Sequence, residues 1–239
     1  MIIANSLVDG FLGSNFTGQA LVMFQIAGSI LMVATIAGKW KALSTIFMST
    51  RRFLRDFSTS HDTLEYYLQR RPTAVFGLEW IYKECCERLL KMLTPDVRSL
   101  LIGRQTGEGA AALTAREVEL VRGTCEHALD EEEIRVEHGM NIIATIVALE
   151  PMLGLLGTVW GVLDAFAEMG TAGSANLATI APSISAALVT TVVGLIVAIP
   201  GVMFQTILKS RSRIIVSDME WFVDELMGHI GREFQRKGE

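Results

Sequence analysis

The chain has 239 residues, of which half are hydrophobic and 20% charged, and its mean hydropathy is +0.38. Those values exclude a disordered chain, a coiled-coil rod and a small disulfide scaffold, and they point to a membrane protein, because soluble domains carry about 25% charge. The net charge of −5 gives nucleic-acid binding no electrostatic support.

The charges are segregated along the chain. Of the 21 Lys and Arg, 15 fall in residues 39–138 and 6 in residues 209–239. Residues 1–38 and 139–208 contain none; their only acids are Asp9, Glu150, Asp164 and Glu168. An all-α integral membrane protein is expected, with three transmembrane helices and long cytoplasmic helical extensions.

Residues 1–19 are expected to form an N-terminal segment on the outer side of the membrane, which the family resemblance given below makes the periplasm. They lack the basic n-region of a cleaved signal peptide and carry Asp9 instead. Residues 20–38 form the first expected span, 19 residues without a charge, about 28 Å as a helix. The block 39–138 is expected to be a cytoplasmic helical domain. Segments such as "HDTLEYYLQRR" and "LEWIYKECCERLLKML" have apolar residues at helical spacing, and Pro72, Pro95 and the glycines at 103, 107 and 109 mark breaks. From Thr114 the helical pattern runs without a proline into the second span, residues 139–169, so one long helix is expected there. A short periplasmic loop, residues 170–176, leads to the third span, residues 177–208. The charge-free run that contains it, 175–208, would measure about 51 Å as one helix, so it tilts or projects from the bilayer. Pro182 and Pro200 are expected near its ends, where a missing N–H costs least. Residues 209–239 are expected as a cytoplasmic C-terminal helix with an apolar stripe of Ile215, Trp221, Phe222, Leu226 and Ile230.

Orientation follows from the basic residues. Lys39, Lys41, Arg51, Arg52 and Arg55 follow the first span, and Lys209, Arg211 and Arg213 follow the third. The positive-inside rule then puts the N-terminus outside and both charged blocks in the cytoplasm.

Enzyme chemistry finds no footing. No Walker A phosphate loop and no G-x-S-x-G nucleophile elbow occurs. Gly107-Glu108-Gly109 follows no strand and reads as a solvent loop. Cys85 and Cys86 are adjacent and cannot pair ordinarily, and with Cys125 they lie in a compartment that keeps thiols reduced. Cys125 with His127 is two residues short of a metal site and reads as helix-face packing. The Asn15–Thr17 sequon carries no expected role. No cofactor and no metal is expected.

The informative residues lie in the second and third spans. Gly154, Gly157, Thr158, Gly161 and Ala165 recur at steps of three and four, which places them on one helix face, and Gly157 with Gly161 makes a G-x-x-x-G. Ser183, Ala187, Thr190, Thr191, Gly194 and Ala198 make a second small stripe. Such stripes let membrane helices approach closely. Two readings of the threonines stand side by side: hydroxyls bonded back to carbonyls one turn earlier, or a ring of hydroxyls that lines an ion path once subunits assemble. Glu150, just before Pro151, is an intramembrane acid; it reads as a gate or intersubunit salt bridge near the cytoplasmic face, or as part of ion transfer. Asp164 and Glu168, one turn apart near the outer face, read as a solvated helix end or as a cation entrance.

At these residues the sequence resembles the TolQ/ExbB/MotA family of ion-driven motor proteins, closest to the TolQ/ExbB branch. "GLLGTVWGV" (Gly154–Val162) is similar to that family's second-span signature, and "ATIAPSISAALVTTVVGLIVAIPGV" (Ala178–Val202) to its third-span signature. The likeness is strong over residues 138–210 and one of plan elsewhere. It implies a bacterial inner-membrane protein, a homopentamer whose second and third helices line a pore. It also implies two copies of a single-span TolR- or ExbD-like partner in that pore, and a TolA- or TonB-like protein that carries work across the periplasm. Thr158 and Thr191 match the family's pore-lining threonines, and Gly154, Gly157, Gly161, Ser183, Ala187, Gly194, Pro182 and Pro200 fall within the packing and pore-lining motifs. Two departures stand out. Ala186 occupies the position where relatives carry a third-span glutamate, and Glu150 replaces a small residue before the proline. Proton and sodium coupling both stay open. So do a TolQ-like role in envelope constriction and an ExbB-like role in nutrient uptake. The alternatives are a MotA-like flagellar stator subunit, which the count of three spans disfavours, and a non-conducting membrane scaffold.

Overall fold

The computed structural model describes residues 16–58, 64–70, 72, 74–93, 113–172 and 177–234. Among them the chain forms six helices: α1 (Phe16–Ser58), α2 (Glu65–Arg70), α3 (Leu78–Met92), α4 (Ala115–Glu137), α5 (Met140–Ala172) and α6 (Leu177–Phe234). The solvent loop assigned to Gly107–Gly109, Asp9 and Asn15 lie outside the described residues. Three helical stretches are long and apolar enough to cross a membrane, within Phe16–Phe57, Ala115–Gly170 and Ile180–Phe234. The chain is an all-α membrane protein. It divides into two compact units, Met1–Trp40 with Gly139–Lys209, and Lys41–His138 with Ser210–Glu239.

The first unit holds the apolar parts of α1, α5 and α6. Its outward side chains are apolar: Leu155, Val159, Leu163 and Phe166 of α5 and Leu188, Ile196, Ile199 and Met203 of α6 are all exposed. In water such a surface would aggregate, but lipid is the solvent that suits it. The register runs antiparallel between α1 and α5, where Gly28 meets Glu150 and Gly139 meets Thr35. It runs antiparallel again between α5 and α6, where Gly154 meets Thr191 and Gly161 meets Ala187. Gly201 packs on Met32, so α1 and α6 are parallel.

One expected helix is broken in the structure. The single helix expected from Thr114 onward is interrupted at His138–Gly139, because Gly139 takes φ +82°, a left-handed conformation that stops a helix. Pro182 and Pro200 both lie inside α6, which runs through the third span into the C-terminal segment as one helix of 58 residues. Pro151 lies inside α5.

The second unit is a water-type core. Phe53 meets Tyr66 and Phe222 edge to face and Tyr82 at a tilt, with ring centroids 5.3–5.4 Å from Phe53 to the other three. From the C-terminal stripe, Ile215, Phe222, Leu226 and Ile230 are buried, but Trp221 is 60% exposed. α4 begins with a capping box: the Thr114 hydroxyl accepts from the Glu117 N–H while the Glu117 carboxylate accepts from the Thr114 N–H. The Thr114 N–H and hydroxyl both donate to the Glu117 carboxylate and hold its carboxyl below its usual range.

Cys85 of α3 and Cys125 of α4 face each other, with Cα atoms 5.2 Å apart. The antiparallel α3–α4 pair brings together residues 40 apart in sequence. Cys86 is free and buried, and burial pushes its thiol up. Cys125 and His127 diverge: the Cys125 sulfur faces Met227, while His127 is exposed beside Glu131 at 3.5 Å.

Glu132 is the unit's buried acid, its side chain wholly shielded. Its carboxylate accepts from the Gly77 N–H at 2.9 Å and pairs with Arg135, which also donates to the Val75 carbonyl. Gly77 has φ +78° and precedes α3 without a side-chain cap, so Glu132 fixes the turn from which α3 starts. Burial raises the Glu132 carboxyl above its ordinary value, against the pull of Gly77 and Arg135. A raised acid binds its proton more readily folded than unfolded, so its contribution to stability is fullest below the ordinary carboxyl range and declines as pH rises through the raised value. Glu132→Gln, neutral at every pH, is expected to lose about 0.5–1.5 kcal/mol in acid, where the parent carboxyl is neutral too and an ordinary hydrogen bond is at stake. The deficit should shrink as pH rises. Thermal unfolding across a pH series checks this, and a deficit that widens with pH contradicts it.

Candidate functional site

Polar groups within the first unit gather where its three helices meet. The α5–α6 contact is built from the small residues. A methyl at Gly154 would stand 2.9 Å from the Thr191 Cα and 3.1 Å from the Thr190 carbonyl. A methyl at Gly157 would overlap the Thr190 side chain, and one at Gly161 would lie 2.5 Å from the Ala187 Cβ. Backbone approaches this close exclude any side chain larger than hydrogen.

The threonines use that closeness. The Thr191 hydroxyl donates to the Gly154 carbonyl at 2.8 Å. The Thr190 hydroxyl, 1% exposed, has two acceptors: the Ala187 carbonyl at 2.7 Å and the Gly154 carbonyl at 3.2 Å. Thr158 lies half-buried and donates to the Leu155 carbonyl, one turn back, at 2.7 Å. Thr190 and Thr191 thus tie the two helices together, while Thr158 bonds only within its own.

Glu150 is 2% exposed. It projects toward α1, where a methyl at Gly28 would stand 2.5 Å from its Oε1. Gln25, one turn before Gly28, is fully buried, and its side-chain amide donates to the backbone carbonyls of Glu150 and Thr190, both at 3.2 Å. Gly194 completes the junction: its added methyl would meet the Glu150 carbonyl at 2.5 Å and the Gln25 Nε2 at 2.8 Å. Gln25, Gly28, Glu150, Thr190 and Gly194 therefore join α1, α5 and α6.

The remaining sites of expectation lie farther along the bundle. Ser183 donates to the Glu168 carboxylate at 3.1 Å, near the ends of α5 and α6. Ala187 is buried, Pro182 and Pro200 are exposed, and Ala186 is buried beside Ala187 in a cleft also lined by Thr17, Gly157, Asp164 and Thr190. Among the described residues no three His, Cys, Asp or Glu side chains cluster as metal ligands would.

Gln25 and Gly28 are the residues that reading the sequence missed. The signal was present but faint: Gln25 is the one carboxamide in the apolar run 20–38.

The model of the MotA/TolQ/ExbB proton channel family matches residues 99–221. The chain is 30% identical over 234 residues to the Tol-Pal system protein TolQ of Haemophilus influenzae, covering 95% of each chain. It is 36% identical to TolQ of Pseudomonas aeruginosa over 106 residues, 44% of this chain and 46% of that one. The biopolymer transport protein ExbB of Xanthomonas campestris pv. campestris (strain B100) is 25% identical over 201 residues, 82% of this chain and 78% of its own. A family match across half the chain, and a TolQ likeness across nearly all of it, establish that this chain belongs to the MotA/TolQ/ExbB family.

Proposed function

We propose that the chain is the ion-conducting subunit of an inner-membrane motor that couples an ion-motive force, in the first instance protons, to mechanical work on the cell envelope. It transports and transduces rather than catalyses. The observation that carries this reading is the placement of hydroxyls, a carboxamide and a carboxyl at one level of a three-helix unit whose outer surface is apolar. Polar groups at membrane depth cost several kcal/mol each unless they serve packing or transport. The Haemophilus TolQ likeness over 95% of both chains favours a Tol-Pal-type role over an ExbB-type one.

In this reading five copies surround a pore lined by α5 and α6, with two copies of a single-span TolR- or ExbD-like subunit inside. The N-terminus faces the periplasm and the C-terminus the cytoplasm, a reading that the distribution of basic residues supports. Thr158, Thr190 and Thr191 line the path with Glu150, and Asp164 and Glu168 draw cations to its outer mouth. The partner's single span supplies the carboxylate that Ala186 does not.

The test is ion flux through the complex reconstituted with its co-encoded single-span protein. Thr158→Val and Thr191→Val are each expected to lower flux about tenfold, the effect of roughly 1.4 kcal/mol on a barrier. Native mass spectrometry should show a 5:2 assembly in both variants. Unchanged flux through both intact variants would favour the scaffold reading.

A further inference from the structure

We infer that Glu150 and Gln25 form an exchangeable proton-binding site inside a single subunit, at the junction of its three spans, deepening the ion-path reading above. Both side chains are at least 98% buried by exposure, yet each keeps one oxygen without a hydrogen-bond partner among the described residues: Glu150 Oε2 and Gln25 Oε1. The Gln25 amide orientation follows from its neighbours. Two carbonyls face its Nε2, so that atom must be the donor, and the oxygen is left over.

The helices around Glu150 offer no cation. α1 presents Gln25 and Gly28, and α6 presents Thr190 and Gly194, against the carboxyl or its backbone. The nearest charged or titratable residues in sequence on these three segments are Lys39, Glu137, His138, Asp164, Glu168 and Lys209. All lie about three turns or more along their helices from the contact. An isolated carboxylate in such surroundings is far costlier than a carboxylic acid. The acid form brings one donor to a place with two unsatisfied oxygens. Glu150 then carries a proton on its carboxyl, and Gln25, already bonded through its amide to the Glu150 backbone, offers its unsatisfied Oε1 as the acceptor. The ligand is a proton rather than sodium, because the Gln25 amide points its N–H groups, not its oxygen, at the two backbone carbonyls that would otherwise help ligate a metal cation.

Infrared spectroscopy of the full chain in liposomes tests this. At neutral pH a carbonyl band of a protonated carboxyl is expected. It should shift with 13C-glutamate, shift again in deuterated buffer as the proton exchanges, and vanish in Glu150→Gln. Gln25→Leu, which removes the acceptor, should move the band to higher frequency; this variant and the isotope label keep the test decisive if Glu150→Gln does not fold. Absence of a protonated glutamate band, its survival in folded Glu150→Gln, or a carboxylate band that responds to added sodium chloride overturns the proposal. The spectra do not depend on flux: the band can stand while the threonine variants conduct normally, in which case the ion-path reading alone fails.

Discussion

Gly154→Val is expected to unfasten α5 from α6. Its added carbons would enter a gap where a single methyl already stands 2.9 Å from a backbone atom, so the helices must separate rather than a side chain turn aside. Separation also removes the Thr190 and Thr191 hydroxyls from the Gly154 carbonyl. Overpacking costs about 1–3 kcal/mol, and two hydrogen bonds are worth roughly 1 kcal/mol each, so a loss of about 3–5 kcal/mol is expected. The matched control is Gly170→Ala, where nothing lies within 4 Å of the added methyl. Thermal unfolding of both variants in detergent decides the matter. Equal midpoints would mean that the glycine stripe is not a contact.

Gly194→Ala is expected to act on the three-helix junction with a cost of about 1–3 kcal/mol, because its methyl would strike the Glu150 carbonyl and the Gln25 amide together. The more telling result is coupling. In the parent chain, Gln25→Leu removes two hydrogen bonds. In the Gly194→Ala background, Gln25 is already displaced, so the same substitution should cost less. A double-mutant cycle is expected to give a coupling of roughly 1 kcal/mol, within the range for residues in contact. Additive costs would show that Gly194 and Gln25 act separately.

The spans were legible because a bilayer imposes a crude rule: about twenty residues without charge, wherever they occur. The small stripes were legible for a similar reason, since helical periodicity alone puts Gly154, Gly157 and Gly161 on one face. What periodicity cannot supply is register between helices. Gln25 draws attention only once it is seen that α1 sets it beside Glu150 and Thr190, residues 125 and 165 positions away. The same limit hid Glu132, which reads as one of several acids in "DEEEIRVE" until Gly77 is found against it. It hid the Cys85–Cys125 pair as well. Trp221 failed differently. Its neighbour Phe222 faces the core with Ile215 and Leu226, and adjacent helical residues point about 100° apart, so only one of the two could. The helix expected from Thr114 looked continuous for want of a proline; Gly139 ended it by conformation instead.

Pro151 follows Glu150 directly and has no N–H to give the carbonyl one turn earlier, that of Val147. A helix short of one rung bends there at lower cost than elsewhere. α5 is therefore most compliant at the very level where its buried carboxyl lies. Any change in the charge of that carboxyl is applied at the weakest point of the rod, where a small force yields the largest deflection of the segment beyond.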